Sequence, residues 1–266
     1  MCCLVLLVKG IVEFLEEKFP KNLAYDWDNV GLQIGDLNHE VNNVMVALDA
    51  TTLVIDEAIE KNIDLIITHH PFIFSSLKSI DFTTPRGKNI QKLIKNDIAL
   101  YTMHTNYDVA SGGMNDALAE AMGLLDVRPF AMINDIHGLG RIGVLDTAMT
   151  INSLCDSIRF ERLKDEVSDI KTVETGSAGC IKKVAVIGGS GGKYVHEAKK
   201  LGADVFITGD ITYHTAVDAK EIGINIIDIG HFSEVIMEGK IAELLGKEFS
   251  DDAKIIKPSV STNPIT

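Results

Sequence analysis

VMVALDATTLVIDEAIEKNIDLIITHH, residues 44–70, and VAVIGGSGGKYVHEAKKLGADVFITGD, residues 184–210, decide the fold, because one pattern occurs in both. Each stretch opens on a Val-rich apolar run, passes through a segment of helical period and closes on a second apolar run. That order is the βαβ unit of an α/β protein, whose strands are covered on both faces and read as continuous apolar runs. Strands are expected at 44–48 and 64–68 with a helix over 52–61. Their counterparts fall at 184–187, 204–208 and 192–201. Sliding the sequence by 140 positions aligns the two stretches without a gap, with matches at Val44/Val184, Val46/Val186, Glu57/Glu197, Ala58/Ala198, Asp64/Asp204, Ile67/Ile207 and Thr68/Thr208. Generic βαβ geometry yields part of this likeness; the ungapped offset argues for an internal duplication.

Outward from these units, a later strand in each half runs into a histidine. IALYT leads to Met103-His104, and INIIDI leads to Gly230-His231. Between the halves, VRPFAMINDIHGLGR breaks the periodicity with Pro129, Gly138 and Gly140. The expected division is therefore a first α/β half at 1–130 and a second, similar half at 131–266.

Composition narrows the function classes. A chain of 266 residues that is 46% hydrophobic buries a sizeable core. With 25 Lys+Arg against 38 Asp+Glu the formal net charge is −13, which repels phosphate backbones and makes nucleic acid an unlikely partner. Cys2, Cys3, Cys155 and Cys180 show no CxxC spacing, which fits a reducing, cytoplasmic setting. The opening CCLVLLV is too short to span a bilayer and lacks the flanks of a signal peptide, so no membrane association is expected.

In open α/β sheets, sites form beyond the carboxyl ends of strands. There stand His69 and His70 after DLIIT, His104 and Asp108 after IALYT, and His231 and Glu234 after INIIDI. Singly, each has a bland reading: a core or loop histidine, or an i,i+3 pair on a solvated helix. Jointly, neutral imidazoles with carboxylates and no nearby thiolate suit Zn, Fe or Mn and disfavour a closed structural zinc site. Adjacent histidines do not easily point at one ion, so two divalent ions about 3.5–4 Å apart, sharing a carboxylate, are the expected arrangement. GGSGG at 188–192 lacks the endings of a nucleotide-binding loop. Its Gly189, Ser190 and Gly191 either meet a substrate anion or form a tight turn without ligand. His214, in TYH after the strand DVFIT, is either a group beside the site or a loop histidine.

WDNVGLQIGD (27–36), THHPFIF (68–74), HTNYDVASGGMNDALAEAMGL (104–124), GGSGG (188–192), TGDITYH (208–214) and DIGHFSE (228–234) together resemble the ordered motifs of the Nif-three-like family, often labelled GTP cyclohydrolase 1 type 2 homologues. The match spans nearly the whole chain. The resemblance implies two α/β halves across a dinuclear metal cleft and a homohexameric ring. It places the metal ligands at His69, His70, Asp108, His231 and Glu234, with His104 beside the metals and His214 beside the cleft as candidates for proton transfer. Some relatives carry an inserted domain between the halves; the segment from Arg141 to Cys180 is too short to hold one. The implied activity is metal-dependent hydrolysis of a small molecule, a nucleotide or other cyclic amide. The alternative is a non-catalytic metal-binding regulator or scaffold interacting with protein or nucleic acid.

Overall fold

A computed structural model describes residues 5–164, 167, 169–176 and 179–265; Cys2 and Cys3 lie outside the described residues. The first stretch of the chain forms helix α1 (Val8–Lys18), strands β1 (Gly31–Ile34) and β2 (Asn43–Ala47), helix α2 (Thr52–Glu60) and strand β3 (Leu65–Thr68). Helix α3 (Pro85–Lys95), strand β4 (Ala99–Thr102), the short helix α4 (Thr105–Val109) and helix α5 (Met114–Ala121) follow. Then come strands β5 (Leu124–Met132) and β6 (Gly138–Met149), helix α6 (Ile151–Ser157) and strands β7 (Lys171–Val173) and β8 (Ile181–Val186). Helix α7 (Val195–Lys200), strand β9 (Val205–Thr208), helix α8 (Tyr213–Ile222), strand β10 (Asn225–Asp228), helix α9 (Ile236–Phe249) and strand β11 (Lys254–Ile256) complete the chain.

Two sheets result, in the orders β1-β4-β3-β2-β11 and β5-β6-β8-β9-β10-β7. The central strands of both are parallel, as the apolar runs require: every residue of β3 and of β9 is buried. The antiparallel pairs are β1 on β4, β5 on β6, β6 on β8 and β7 on β10, while the remaining edge strand, β11, pairs in parallel with β2. Threonine caps start several of the helices. The side chain of Thr51 accepts from the amide of Val54, that of Thr84 from Gly87 with Pro85 at the first helical position, and that of Thr212 from Thr215.

The duplication is visible in the ladders. Val44 pairs with Leu65 and Val46 with Ile67 in one sheet; Val184 pairs with Val205 and Val186 with Ile207 in the other, both at the 140-residue offset. A shared polar device fixes the register. Asp64 Oδ2 accepts from the amides of Asn42 and Asn43, each at 2.8 Å, and Asp204 Oδ2 accepts from those of Lys182 and Lys183 at 3.0 and 2.8 Å. The third strands repeat at a different offset, 126, since Leu65 pairs with Ala99 and Val205 with Asn225. This changes one expected equivalence. His104 corresponds in register to Gly230 rather than to His231, and the residues that correspond past the third strands are Asp108 and Glu234.

The compact units are not the consecutive stretches 1–130 and 131–266. One unit comprises Met1–Tyr107 with Met237–Ile265, the other Asp108–Ile236. Residues 108–130, expected in the first half, belong to the second unit, where α5 packs on β5, β6 and β8. Residues 237–265, expected in the second, belong to the first. There Phe249 of α9 meets Phe14 of α1 edge-on at 5.3 Å, and β11 extends the sheet in parallel beside β2. The reason is that an amphipathic helix is satisfied by any complementary apolar face, and each sheet here is completed by the helix that follows the other sheet's third parallel strand.

Candidate metal centre

In the first unit, the chain turns at the end of β3 with the amides of His69 and His70 both donating to Leu48 O, at 3.3 and 3.1 Å. This fans the two rings apart, with centroids 5.1 Å apart and planes tilted by 49°. His69 is fully buried, and its Nδ1 lies 2.9 Å from Met103 O. A carbonyl can only accept, so Nδ1 carries the proton and Nε2 the lone pair. His70 Nδ1 lies 2.8 Å from Asp49 Oδ1, and His104 Nδ1 lies 2.8 Å from Asp28 Oδ1. An ionised carboxylate fixes the same tautomer in both rings. His104 also stands edge-on to His69, with centroids 5.1 Å apart.

Asp28 is firmly held. Burial raises its pKa, but hydrogen bonds from His104 and Thr105 outweigh that and bring it down to about 2. Besides His104 it accepts from Thr105 N at 3.0 Å and from Thr105 Oγ1 at 2.5 Å. It is therefore ionised throughout the neutral range.

In the second unit, Asp108 lies in α4 and Glu234 in a 3-10 helical turn at His231–Val235. Both are buried. Residues three apart eclipse on a 3-10 helix, and His231 Nε2 duly lies 3.2 Å from Glu234 Oε2. His231 Nδ1 lies 2.6 Å from Asp210 Oδ2, so in this ring too Nδ1 carries a proton. The Gly188–Gly192 turn makes room for Glu234. A Cβ on Gly189, whose φ is +55°, would stand 2.6 Å from Glu234 Oε1, and one on Gly188 would stand 3.2 Å from it. Gly191 N donates to Thr208 Oγ1 at 2.9 Å and Gly188 N to Asn115 Oδ1 at 2.8 Å, so two amides of this turn are committed within the unit. Asn115 is fully buried in α5, and its Nδ2 donates to Asp108 O at 3.1 Å. One amide side chain thus ties the segment carrying Asp108 to the turn that cradles Glu234. His214 is exposed in the first turn of α8, edge-on to Tyr213 at 5.6 Å.

Candidate metal-ligating groups among the described residues are His69, His70, His104, Asp108 and Glu234. His104, expected beside the metals, is in that set; His231 is not. The donor chemistry fits divalent ions, with imidazole nitrogens and carboxylates and no thiolate. Sequence reading missed Asp28, Asp49, Asp210 and Asn115. Three of these, Asp28, Asn115 and Asp210, lie inside the motifs WDNVGLQIGD, HTNYDVASGGMNDALAEAMGL and TGDITYH, but nothing in local spacing says which histidine or amide a distant carboxylate or carboxamide meets.

The fold and donor set define a two-sheet α/β protein with a candidate metal-ligating set of imidazoles and carboxylates. The chain belongs to the Duf34/NIF3 (NGG1p interacting factor 3) family, whose model matches residues 6–264. It is 39% identical over 97% of its length to a Clostridium perfringens protein called GTP cyclohydrolase 1 type 2 homolog, of which it covers 98%. A Bacillus subtilis protein of the same name is 33% identical over 366 aligned positions, covering 96% of this chain and 97% of the relative. Among solved structures, a Staphylococcus aureus hypothetical protein superposes with a TM-score of 0.90 at 35% identity, over 98% of both chains. No helix among the described residues is long and apolar enough to cross a membrane.

Proposed function

We propose that the protein is a divalent-metal-dependent hydrolase of a nucleotide or other cyclic amide, in which His69, His70, Asp108, His231 and Glu234 hold two ions. The observation that carries this reading is the tautomer lock. His69, His70, His104 and His231 each give Nδ1–H to a fixed oxygen at 2.6–2.9 Å, the arrangement that orients imidazoles for ligation and raises their basicity. Histidines serving only as packing have no need of four such locks. The ions, Zn, Fe or Mn, supply Lewis acidity and lower the pKa of water. The residues do the rest: Asp108 and Glu234 compensate the positive charge, and His104, backed by the ionised Asp28, accepts and returns the proton. The Gly188–Gly192 turn serves Glu234 by admitting its carboxylate closely. The name of the curated relatives supports a guanine nucleotide as the first substrate to test. A cytoplasmic homohexamer is the working assembly suggested by the family resemblance.

The experiment is metal analysis joined to turnover. The purified chain is expected to hold two equivalents of divalent ion and to consume one compound of a metabolite mixture in a chelator-sensitive manner. Asp108→Asn keeps the size but removes the charge and is expected to weaken both ions, whereas His69→Ala weakens mainly one. Two equivalents held by Asp108→Asn as firmly as by the parent would remove Asp108 from the site and with it the shared-carboxylate arrangement.

A further inference from the structure

The first unit carries an aromatic face that the proposed hydrolysis leaves unassigned. Trp27, the single tryptophan of the chain, is 57% exposed, and Phe74 beside it is 51% exposed. Their centroids lie 5.9 Å apart with planes tilted by 50°. Tyr25 stacks on Trp27 at 5.7 Å with planes only 10° apart, and His104 meets Trp27 edge-on at 6.1 Å. His104 in turn lies 5.1 Å from His69 and 5.9 Å from His70 by ring centroids. A chain of rings thus leads from solvent to the candidate ligand histidines.

Both outer rings are held by their neighbours, so their exposure is built in. Beside Trp27, Asp28 is fixed by His104 and Thr105, and Tyr25 N donates to Thr105 Oγ1 at 3.1 Å. Beside Phe74, Ile73 is pinned twice: its amide donates to Gln33 Oε1 at 3.0 Å, and its carbonyl accepts from Asn29 Nδ2 at 2.5 Å. Leaving about half of each ring in water forgoes part of the hydrophobic stabilisation that full burial would give. Clamping both there as well suits a recognition surface, because pre-ordered aromatics bind flat rings at little entropic cost.

We propose that Trp27 and Phe74 form the stacking face for the planar heteroaromatic ring of the substrate. This rests on the hydrolase reading for its placement beside the histidines. The ring class follows from the face itself: stacking on Trp is open to any flat π-system, and a purine-type ring presents the cyclic amidine or amide on which the hydrolysis would act.

The single tryptophan makes the test direct. The full chain, with and without added Zn²⁺, is titrated with guanosine and, as a ring-free control, with ribose 5-phosphate, while Trp27 emission excited near 295 nm is followed. Guanosine is expected to quench Trp27 saturably and ribose 5-phosphate to leave it unchanged. Equilibrium dialysis of guanosine is expected to weaken roughly tenfold or more in Trp27→Leu and to be largely kept in Trp27→Phe. Because the arm without metal reads stacking alone, it separates the two ideas. Metal-dependent turnover with no guanosine quench, or equal dialysis binding in Trp27→Leu and parent, overturns the stacking face and leaves the hydrolase; quench without any turnover does the reverse. Emission that shifts with protein concentration and ignores guanosine would show that a second copy covers the face, and would overturn the proposal as well.

Discussion

Removing the carboxamide of Asn115 tests the central joint of the second unit. This side chain is fully buried and makes two hydrogen bonds of opposite sense, from Gly188 N at 2.8 Å and to Asp108 O at 3.1 Å. Asn115→Ala leaves both backbone groups without that partner, at roughly 1–3 kcal/mol for each group left unsatisfied. The expected destabilisation is therefore about 2–6 kcal/mol, read as a lower midpoint in urea unfolding with an unchanged slope. The loss has a second, separable part. Gly188 precedes Gly189, against which Glu234 Oε1 is packed, so loosening this turn is expected to weaken divalent-ion binding by roughly tenfold to a hundredfold, as removing a support of metal ligands does. Asn115→Asp distinguishes the two parts. It keeps an acceptor for Gly188 N but sets a carboxylate oxygen against the carbonyl of Asp108, so it should also destabilise, and most at neutral pH, where that carboxylate is ionised. An Asn115→Ala protein whose unfolding free energy lies within about 0.5 kcal/mol of the parent's, with unchanged metal affinity, would refute the reasoning.

Three further outcomes are expected, two from the site geometry and one from the family resemblance. Asp28 has its pKa depressed from 3.8 to about 2 in the folded chain, so its contribution is present above the unfolded value and is lost as pH falls from about 4 through about 2; at most on the order of 1–2 kcal/mol, after allowance for solvent screening, should leave the acid-unfolding profile in Asp28→Asn. Gly189→Ala places a Cβ 2.6 Å from Glu234 Oε1 at a φ of +55° and is expected to cost about 1–2 kcal/mol in backbone strain while lowering metal occupancy; full occupancy in this variant, measured by elemental analysis, would mean that Glu234 does not bind the ion. Light scattering at micromolar concentration is expected to give a closed oligomer of six chains, and a stable monomer would defeat that expectation.

The strands were legible because their signal is local. Val44–Leu48 and Val184–Ile187 are apolar runs flanked by turn residues, and burial on both faces is what such runs need. The 140-residue offset reappears unchanged in the ladders and in the paired roles of Asp64 and Asp204. The exchange of helices was not legible. MNDALAEA and IMEGKIAELLGKEF each show an apolar stripe, but a stripe specifies a partner of complementary shape, not the sheet that precedes it in the chain. The same distinction separates the candidate ligands from their supports. His69, His70, Asp108, His231 and Glu234 stand at strand ends, a position that sequence reveals. Asp28, Asp49 and Asp210 act through partners 76, 21 and 21 positions away, and only folding brings those pairs within hydrogen-bond reach.

The 126-residue register also relates the candidate site residues of the two halves. At the 126-residue offset the corresponding residues are Asp108 and Glu234, so each copy of the duplicated unit keeps one buried carboxylate in the first turn after its third parallel strand. At the 140-residue offset His69 and His70 correspond to Gly209 and Asp210. Where one copy places two imidazoles, the other places a glycine and a carboxylate, and that carboxylate locks His231. Gly209 also packs closely: a Cβ there would stand 2.8 Å from the carbonyl carbon of Gly230. A histidine at 209 would collide with the backbone that positions His231. The imidazole pair is therefore accommodated in one copy only, whereas both copies hold a buried acid at the equivalent position. Charge explains the asymmetry. Neutral imidazoles are exchangeable as donors so long as their number suffices, whereas the compensating negative charge at a divalent site has to come from carboxylates.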